Sequence, residues 1–96
     1  MNTSKKSIIT EDLTCCFVCG KPNAEVHHCL YGTGNRKLAD KYGLVVGLCY
    51  EHHRGNSGVH GGNKELDLEL KRAAQEAFTK MYSHEEYMKL FGRCYL

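Results

Sequence analysis

Leu48-Cys49-Tyr50-Glu51-His52-His53 decides how this chain is read, because it completes a pattern begun by Cys16-Phe17-Val18-Cys19-Gly20. Each segment offers two ligand-type side chains at x2 spacing, Cys16 with Cys19 and Cys49 with His52. Zinc takes four such donors in a tetrahedron, and one C-x2-C turn with one C-x2-H turn supplies them. Gly20, directly after Cys19, suits the tight turn such a knuckle needs. The 29 residues between the pairs mean that the ion would tie the start of the domain to the end of a later strand. The bland reading is four unrelated buried residues; in a small chain with no sign of secretion, this spacing argues for zinc. Cys15 could replace Cys16 as an x3 pair, but C-x2-C-G fits better. Cys29, on an expected strand, reads as a packed thiol and Cys94 as a free one.

The rest of the composition points the same way. Among 96 residues there are six Cys and six His, and five of each fall between Cys15 and His60. A chain of this size buries only about 60–65% of its unfolded surface, so a metal staple helps it fold. After the zinc set is taken out, His27, His28, His53 and His60 remain. Strand alternation sends His27 and His28 to opposite faces, so one can bind a metal while the other addresses a substrate. His53 follows the ligand His52 and is fixed by it, and His60 lies seven residues on, across a glycine-rich turn. One such histidine alone would read as a surface or core residue. Four beside a zinc cluster point to function.

Thirteen Lys and Arg against eleven Asp and Glu leave a net charge of +2, too small to argue nucleic-acid binding by itself. No apolar run approaches eighteen residues, and residues 1–14 lack a signal-peptide core. A cytoplasmic protein without a membrane span is expected. Residues 1–14 read as a polar arm and 15–96 as one domain, with a metal-binding half at 15–62 and helices at 63–96. Val26 through Tyr31 and Leu44 through Leu48 read as short strands, with a helix over Arg36–Tyr42 stopped by Gly43. Asn63 is the expected cap of a helix of about five turns carrying Leu66, Leu70, Ala73, Ala74, Ala77, Phe78 and Met81 on one face. Ser83-His84-Glu85-Glu86 has the capping-box form and opens a second helix, ended by Gly92. The fold class expected is α+β.

Taken together, Cys16-Phe17-Val18-Cys19-Gly20, Glu25-Val26-His27-His28, Leu48-Cys49-Tyr50-Glu51-His52-His53 and Val59-His60-Gly61 resemble the HNH endonucleases, the ββα-metal or His-Me finger group. The likeness spans roughly residues 15–82. It is closest to the zinc-bound phage proteins and to the phage recombination-enhancement nucleases that act with the host recombinase RecA. The resemblance implies a zinc-stapled, treble-clef-like ββα-metal core with two C-terminal helices packed on it. It implies a DNA endonuclease with structural Zn²⁺ on Cys16, Cys19, Cys49 and His52, and catalytic Mg²⁺ or Mn²⁺ on His27 and His53. His60 is a further ligand or a phosphate contact, and His28 the general base. Implied partners are DNA and a RecA-type recombinase, in a monomer or homodimer encoded by a phage and working in bacterial cytoplasm.

From the residues themselves, Glu25 is placed to orient His27 from behind, and Arg36 and Arg54 are candidates for phosphate contacts or solvated charges. Two features depart from the family pattern. His60 lies seven positions after His53, with Gly55-Asn56-Ser57-Gly58 breaking the helix, and the middle Asn is missing near Gly43 and Leu44, with Asn35 of the same loop as the available substitute. The competing readings are a non-catalytic zinc module that docks on DNA or a recombination protein, and a metal-storage or sensor domain.

Overall fold

Residues 7–32 and 34–96 are described by the computed structural model. The expected arm at 1–14 falls partly outside them, at residues 1–6, and so does Thr33 of the loop after the first strand. The elements follow in the order β1 (Glu25–His28), α1 (Asn35–Tyr42), β2 (Val45–Leu48), α2 (Tyr50–His53), a 3-10 turn (Val59–Gly61), α3 (Lys64–Met81) and α4 (His84–Phe91). This is a small α+β structure.

The two strands pair antiparallel, with Glu25 opposite Leu48 and His28 opposite Val45. β1 is shorter than the strand expected from Val26 through Tyr31. Past His28 the ladder ends, and Cys29 and Leu30 turn into the core, where they are buried. The Cys29 N–H still donates to the Leu44 carbonyl at 3.1 Å. All four β2 residues are buried, so β2 lacks the alternation of a half-exposed strand. The reason lies in the segment before β1. Phe17 N–H donates to the Gly47 carbonyl at 2.7 Å, which lays the first cysteine turn against β2.

The end of the expected arm is docked. Ile8 N–H donates to the Gly43 carbonyl at 2.9 Å, and the Ser7 hydroxyl donates to the Val45 carbonyl at 2.6 Å. Ile8 and Ile9 pack on the core cluster. Residues 7–14 are therefore part of the domain.

α3 follows its sequence signals closely. The Asn63 side chain accepts from Leu66 N–H at 3.1 Å, satisfying one of the open N–H groups of the first turn. Leu66, Leu70, Ala74 and Phe78 are buried, whereas Met81 at the end of the same stripe is exposed. Asp67 and Lys71 form the i,i+4 pair at 2.9 Å. In α4 the Ser83 hydroxyl accepts from Glu86 N–H at 3.1 Å, and Gly92 closes the helix in the left-handed conformation. Phe78 joins the two halves. Its ring lies 5.3 Å from Tyr42 of α1, 5.9 Å from Tyr87 and 6.0 Å from Phe91, centroid to centroid.

Phe78→Ala is expected to lower unfolding stability by about 3–5 kcal/mol, the usual cost of removing a fully buried aromatic ring. Urea denaturation measures it. A loss below about 1 kcal/mol would mean that α3 is not anchored through this ring.

Candidate metal centres

Two groups of donor atoms come together in this framework. Cys16, Cys19, Cys49 and His52 place one ligand atom each within 4.8 Å of all the others, and so do His27, His53 and His60.

The first group is built by two turns. Gly20 N–H donates to the Cys16 carbonyl and Cys16 N–H to the Lys21 carbonyl, both at 2.8 Å, and Gly20 takes φ +80° to close the loop. Cys49 caps α2, which puts its thiol and the His52 ring on the same side one turn apart. The separations are 3.7 Å for Cys19 Sγ to Cys49 Sγ, 3.6 Å for Cys16 Sγ to His52 Nδ1 and 3.2 Å for Cys49 Sγ to His52 Nδ1. A tetrahedral zinc ion with ordinary bond lengths needs S···S edges of about 3.8 Å and S···N edges of about 3.6 Å. The Cys3His set thus fits a structural metal such as zinc. Burial opposes ionisation of Cys16, but backbone hydrogen bonds at Cys49, Cys19 and Val18 outweigh it and bring the thiol down to about 6. A thiolate ligand is favoured accordingly. Cys15 stays outside, bonded to Asp12 and close to the Thr14 hydroxyl. Cys29 is a fully buried thiol pushed up to about 12 by burial, and Cys94 is free and exposed.

The second group draws on three elements. His27 comes from β1, His53 from the end of α2 and His60 from the 3-10 turn. Ring centroids lie 5.3 Å apart for His27 and His53, 5.6 Å for His27 and His60, and 4.8 Å for His53 and His60. The six-residue gap between His53 and His60 is thus bridged by a return of the chain, not by a continued helix. That return needs Gly58, where a Cβ would lie 2.7 Å from the His52 carbonyl carbon and 2.8 Å from that of His53.

Hydrogen bonding fixes the His53 imidazole. His53 Nδ1 lies 2.8 Å from Glu25 Oε1. An ionised carboxylate only accepts, so Nδ1 carries a proton, and in the neutral ring Nε2 keeps its lone pair for a metal. That bond from His53, against the opposing cost of desolvation and with help from the Arg54 charge, holds the Glu25 carboxyl below its ordinary value. Glu25 therefore stands behind His53, where the sequence reading set it behind His27. Side chains at i and i+2 of a strand run parallel, and a reach across to α2 was not visible from the strand alone. His27 Nε2 is buried with no hydrogen-bond partner among the described residues. Burial, with His53 and His60 close by, lowers the His27 pKa to about 4, so the ring is neutral at pH 7. A buried, unpartnered, neutral imidazole nitrogen facing two other imidazoles is what a metal ligand requires.

A cavity of about 540 Å³ opens on this group, lined by His27, His28, His53 and His60 together with Arg36 and Arg54. The two histidines of β1 leave the strand in different directions, yet both line it. His28 Nε2 lies 3.0 Å from Asp40 Oδ1 on α1. Nε2 thus carries a proton, and in the neutral ring the lone pair is on Nδ1. Arg54 Nε lies 3.1 Å from Glu25 Oε1, so Arg54 is paired as well as cavity-lining.

Sequence reasoning missed Asp40, which lies in the helix between the strands. Its only signal was an acidic residue twelve positions after the histidine doublet, and nothing in the pattern singles it out. Asn35 is found bracing the loop after β1, its side chain donating to the Tyr31 carbonyl at 3.3 Å. No helix among the described residues is long and apolar enough to cross a membrane. Compared with models of protein families, with curated proteins and with solved structures, the chain matches none.

Proposed function

We propose that this chain is a metal-dependent DNA endonuclease of the HNH, ββα-metal kind, with β1, β2 and α2 as the metal finger. The observation that carries the reading is the buried, unpartnered His27 Nε2 set among His53 and His60 in a cavity that also holds His28 and two arginines. A storage site needs none of those last three residues, and a docking module has no use for a polar cavity beside its structural metal.

Zinc on Cys16, Cys19, Cys49 and His52 is the structural ion in this reading. His27, His53 and His60 would hold a second divalent ion, which supplies stabilisation of charge on the phosphate and on the leaving oxygen. Three imidazoles suit a transition ion better than Mg²⁺, which prefers oxygen donors, so Mn²⁺ is the better candidate of the two.

The chain does the rest. His28 takes a proton from the attacking water at Nδ1, and Asp40 holds the ring in the tautomer that leaves Nδ1 open and steadies the imidazolium that forms. Glu25 keeps His53 in its ligand tautomer. Arg36 and Arg54 offer planar donor forks to the phosphate of the bound strand. A RecA-type recombinase as partner, a phage origin and action in bacterial cytoplasm belong to the same proposal and are supported by the sequence resemblance alone.

The experiment is plasmid incubation with Mn²⁺ or Mg²⁺, followed on a gel. Nicking that depends on added metal, is stronger with Mn²⁺ and stops on chelation is the expected result. An intact plasmid under all conditions, with the protein folded and both ions bound, would return the chain to the docking-module reading.

A further inference from the structure

A second cavity of about 540 Å³ adjoins the histidine cavity and shares Tyr31 and His60 with it. Its character is different. Lys64, Lys71 and Arg93 line it, and so do the rings of Tyr31 and Tyr95. Lys71 Nζ lies 4.8 Å from the Tyr31 ring centre and 5.3 Å from that of Tyr95, and the Arg93 guanidinium lies 5.6 Å from Tyr95. Asp67, the one carboxylate on the lining, is already engaged by Lys71 at 2.9 Å and by the Tyr31 hydroxyl at 3.0 Å.

The wall carrying Arg93 and Tyr95 is held with unusual care for a segment without regular structure. Gln75 of α3 is fully buried and uses both ends of its amide on this segment. Its carbonyl accepts from Tyr95 N–H at 2.7 Å and its amide donates to Cys94 Sγ at 3.3 Å. Arg72 Nε donates to the Tyr95 carbonyl at 2.8 Å. These bonds fix the main chain so that the Tyr95 ring and the Arg93 head face the cavity.

We propose that this second cavity is a subsite for an unpaired nucleotide of the strand that enters the histidine cavity, with Tyr31 and Tyr95 stacking its base and Lys64 and Arg93 facing its phosphates. The strand itself is taken from the nuclease reading above. Interleaved aromatic rings and cations are the platform on which single-stranded nucleic acid is held without sequence preference. In a duplex the base faces are covered by their neighbours, and only a base out of the stack offers a face to a tyrosine ring. The preferred substrate is therefore single-stranded or locally unpaired DNA, and the cavity shared through Tyr31 and His60 gives its backbone a continuous path.

The test uses the full chain carrying His28→Ala, so that the bound strand stays intact. Fluorescence anisotropy compares labelled oligothymidylate of about 12 nucleotides, a duplex of the same length and oligouridylate, the length falling within the span one such surface covers. Tyr95→Leu is added to the same protein; its main-chain bonds to Gln75 and Arg72 do not need the ring. The single DNA strand is expected to bind at least about tenfold tighter than the duplex, and Tyr95→Leu to weaken that binding about tenfold while leaving the duplex unchanged. Tyr95→Phe keeps the affinity. Replacing one thymine by 5-iodouracil should give a photocross-link to Tyr95 or Tyr31, located by mass spectrometry.

Equal affinity for strand and duplex, or no effect of Tyr95→Leu, overturns the subsite. Tighter binding of oligouridylate overturns its assignment to DNA. The two readings fail separately. Plasmid nicking without single-strand preference removes the subsite and keeps the nuclease, whereas cross-linking at the tyrosines by a chain that cleaves nothing does the reverse.

Discussion

Replacing Cys16 by Ser is expected to unfold the metal-rich half of the chain and release the structural metal, zinc in the proposed reading, that its Cys3His cluster fits. Cys16 is almost fully buried and its thiol is brought down to about 6, so a thiolate donor is lost from the cluster. A serine hydroxyl stays protonated and cannot replace it as a ligand. Structural zinc contributes about 10–16 kcal/mol of apparent binding free energy in small finger domains. The whole stability of a domain is about 5–15 kcal/mol, so losing even part of the zinc contribution empties the folded state. Zinc content per chain and far-ultraviolet circular dichroism measure the outcome. A folded Cys16→Ser protein with its full zinc content would remove Cys16 from the ligand set. Cys15→Ser is the control, since Cys15 bonds only to Asp12 and Thr14 near the surface, and it is expected to change neither reading.

His28→Ala has the opposite signature. Under the proposed nuclease reading, metal-dependent nicking should fall by about 10²–10⁴-fold, the range a general base contributes. Zinc content and fold should stay unchanged, because His28 belongs to neither donor cluster. Asp40→Asn is expected to cause a smaller loss in the same assay, since it leaves the base in place but weakens the control of its tautomer. Full activity of His28→Ala would move the base elsewhere in the cavity. Nicking lost together with zinc would show that His28 is part of the framework.

The helices at the end of the chain were legible because their signals are local. Asn63 and Ser83 form the caps their residue types suggest, and the apolar stripe from Leu66 to Phe78 is buried. The Cys16, Cys19, Cys49 and His52 grouping was legible because x2 spacing on a turn constrains where side chains project, whereas the return of His60 to His27 and His53 across a glycine-rich turn was not. What stayed hidden depends on contacts distant in sequence. The docking of residues 7–14 had only the Ile8-Ile9 pair as its sign. Glu25 reaches across 28 positions to His53, and Asp40 serves His28 from the helix inserted between the strands. The early end of β1 was hidden too, because Cys29 and Leu30 are buried whether or not they pair.

The four residues of α2 send His52 to one cluster and His53 to the other. A helix of one turn has no stability of its own. Cys49 at its start makes no side-chain capping bond to it, and its sulfur lies instead among the other three donors of the first cluster. Under the proposed reading, a newly made chain therefore acquires its His53 ligand only when the Cys3His cluster closes. Nuclease competence would then be set by the supply of zinc ions as much as by the number of chains, and a cell short of zinc would hold the protein in a form that cuts nothing.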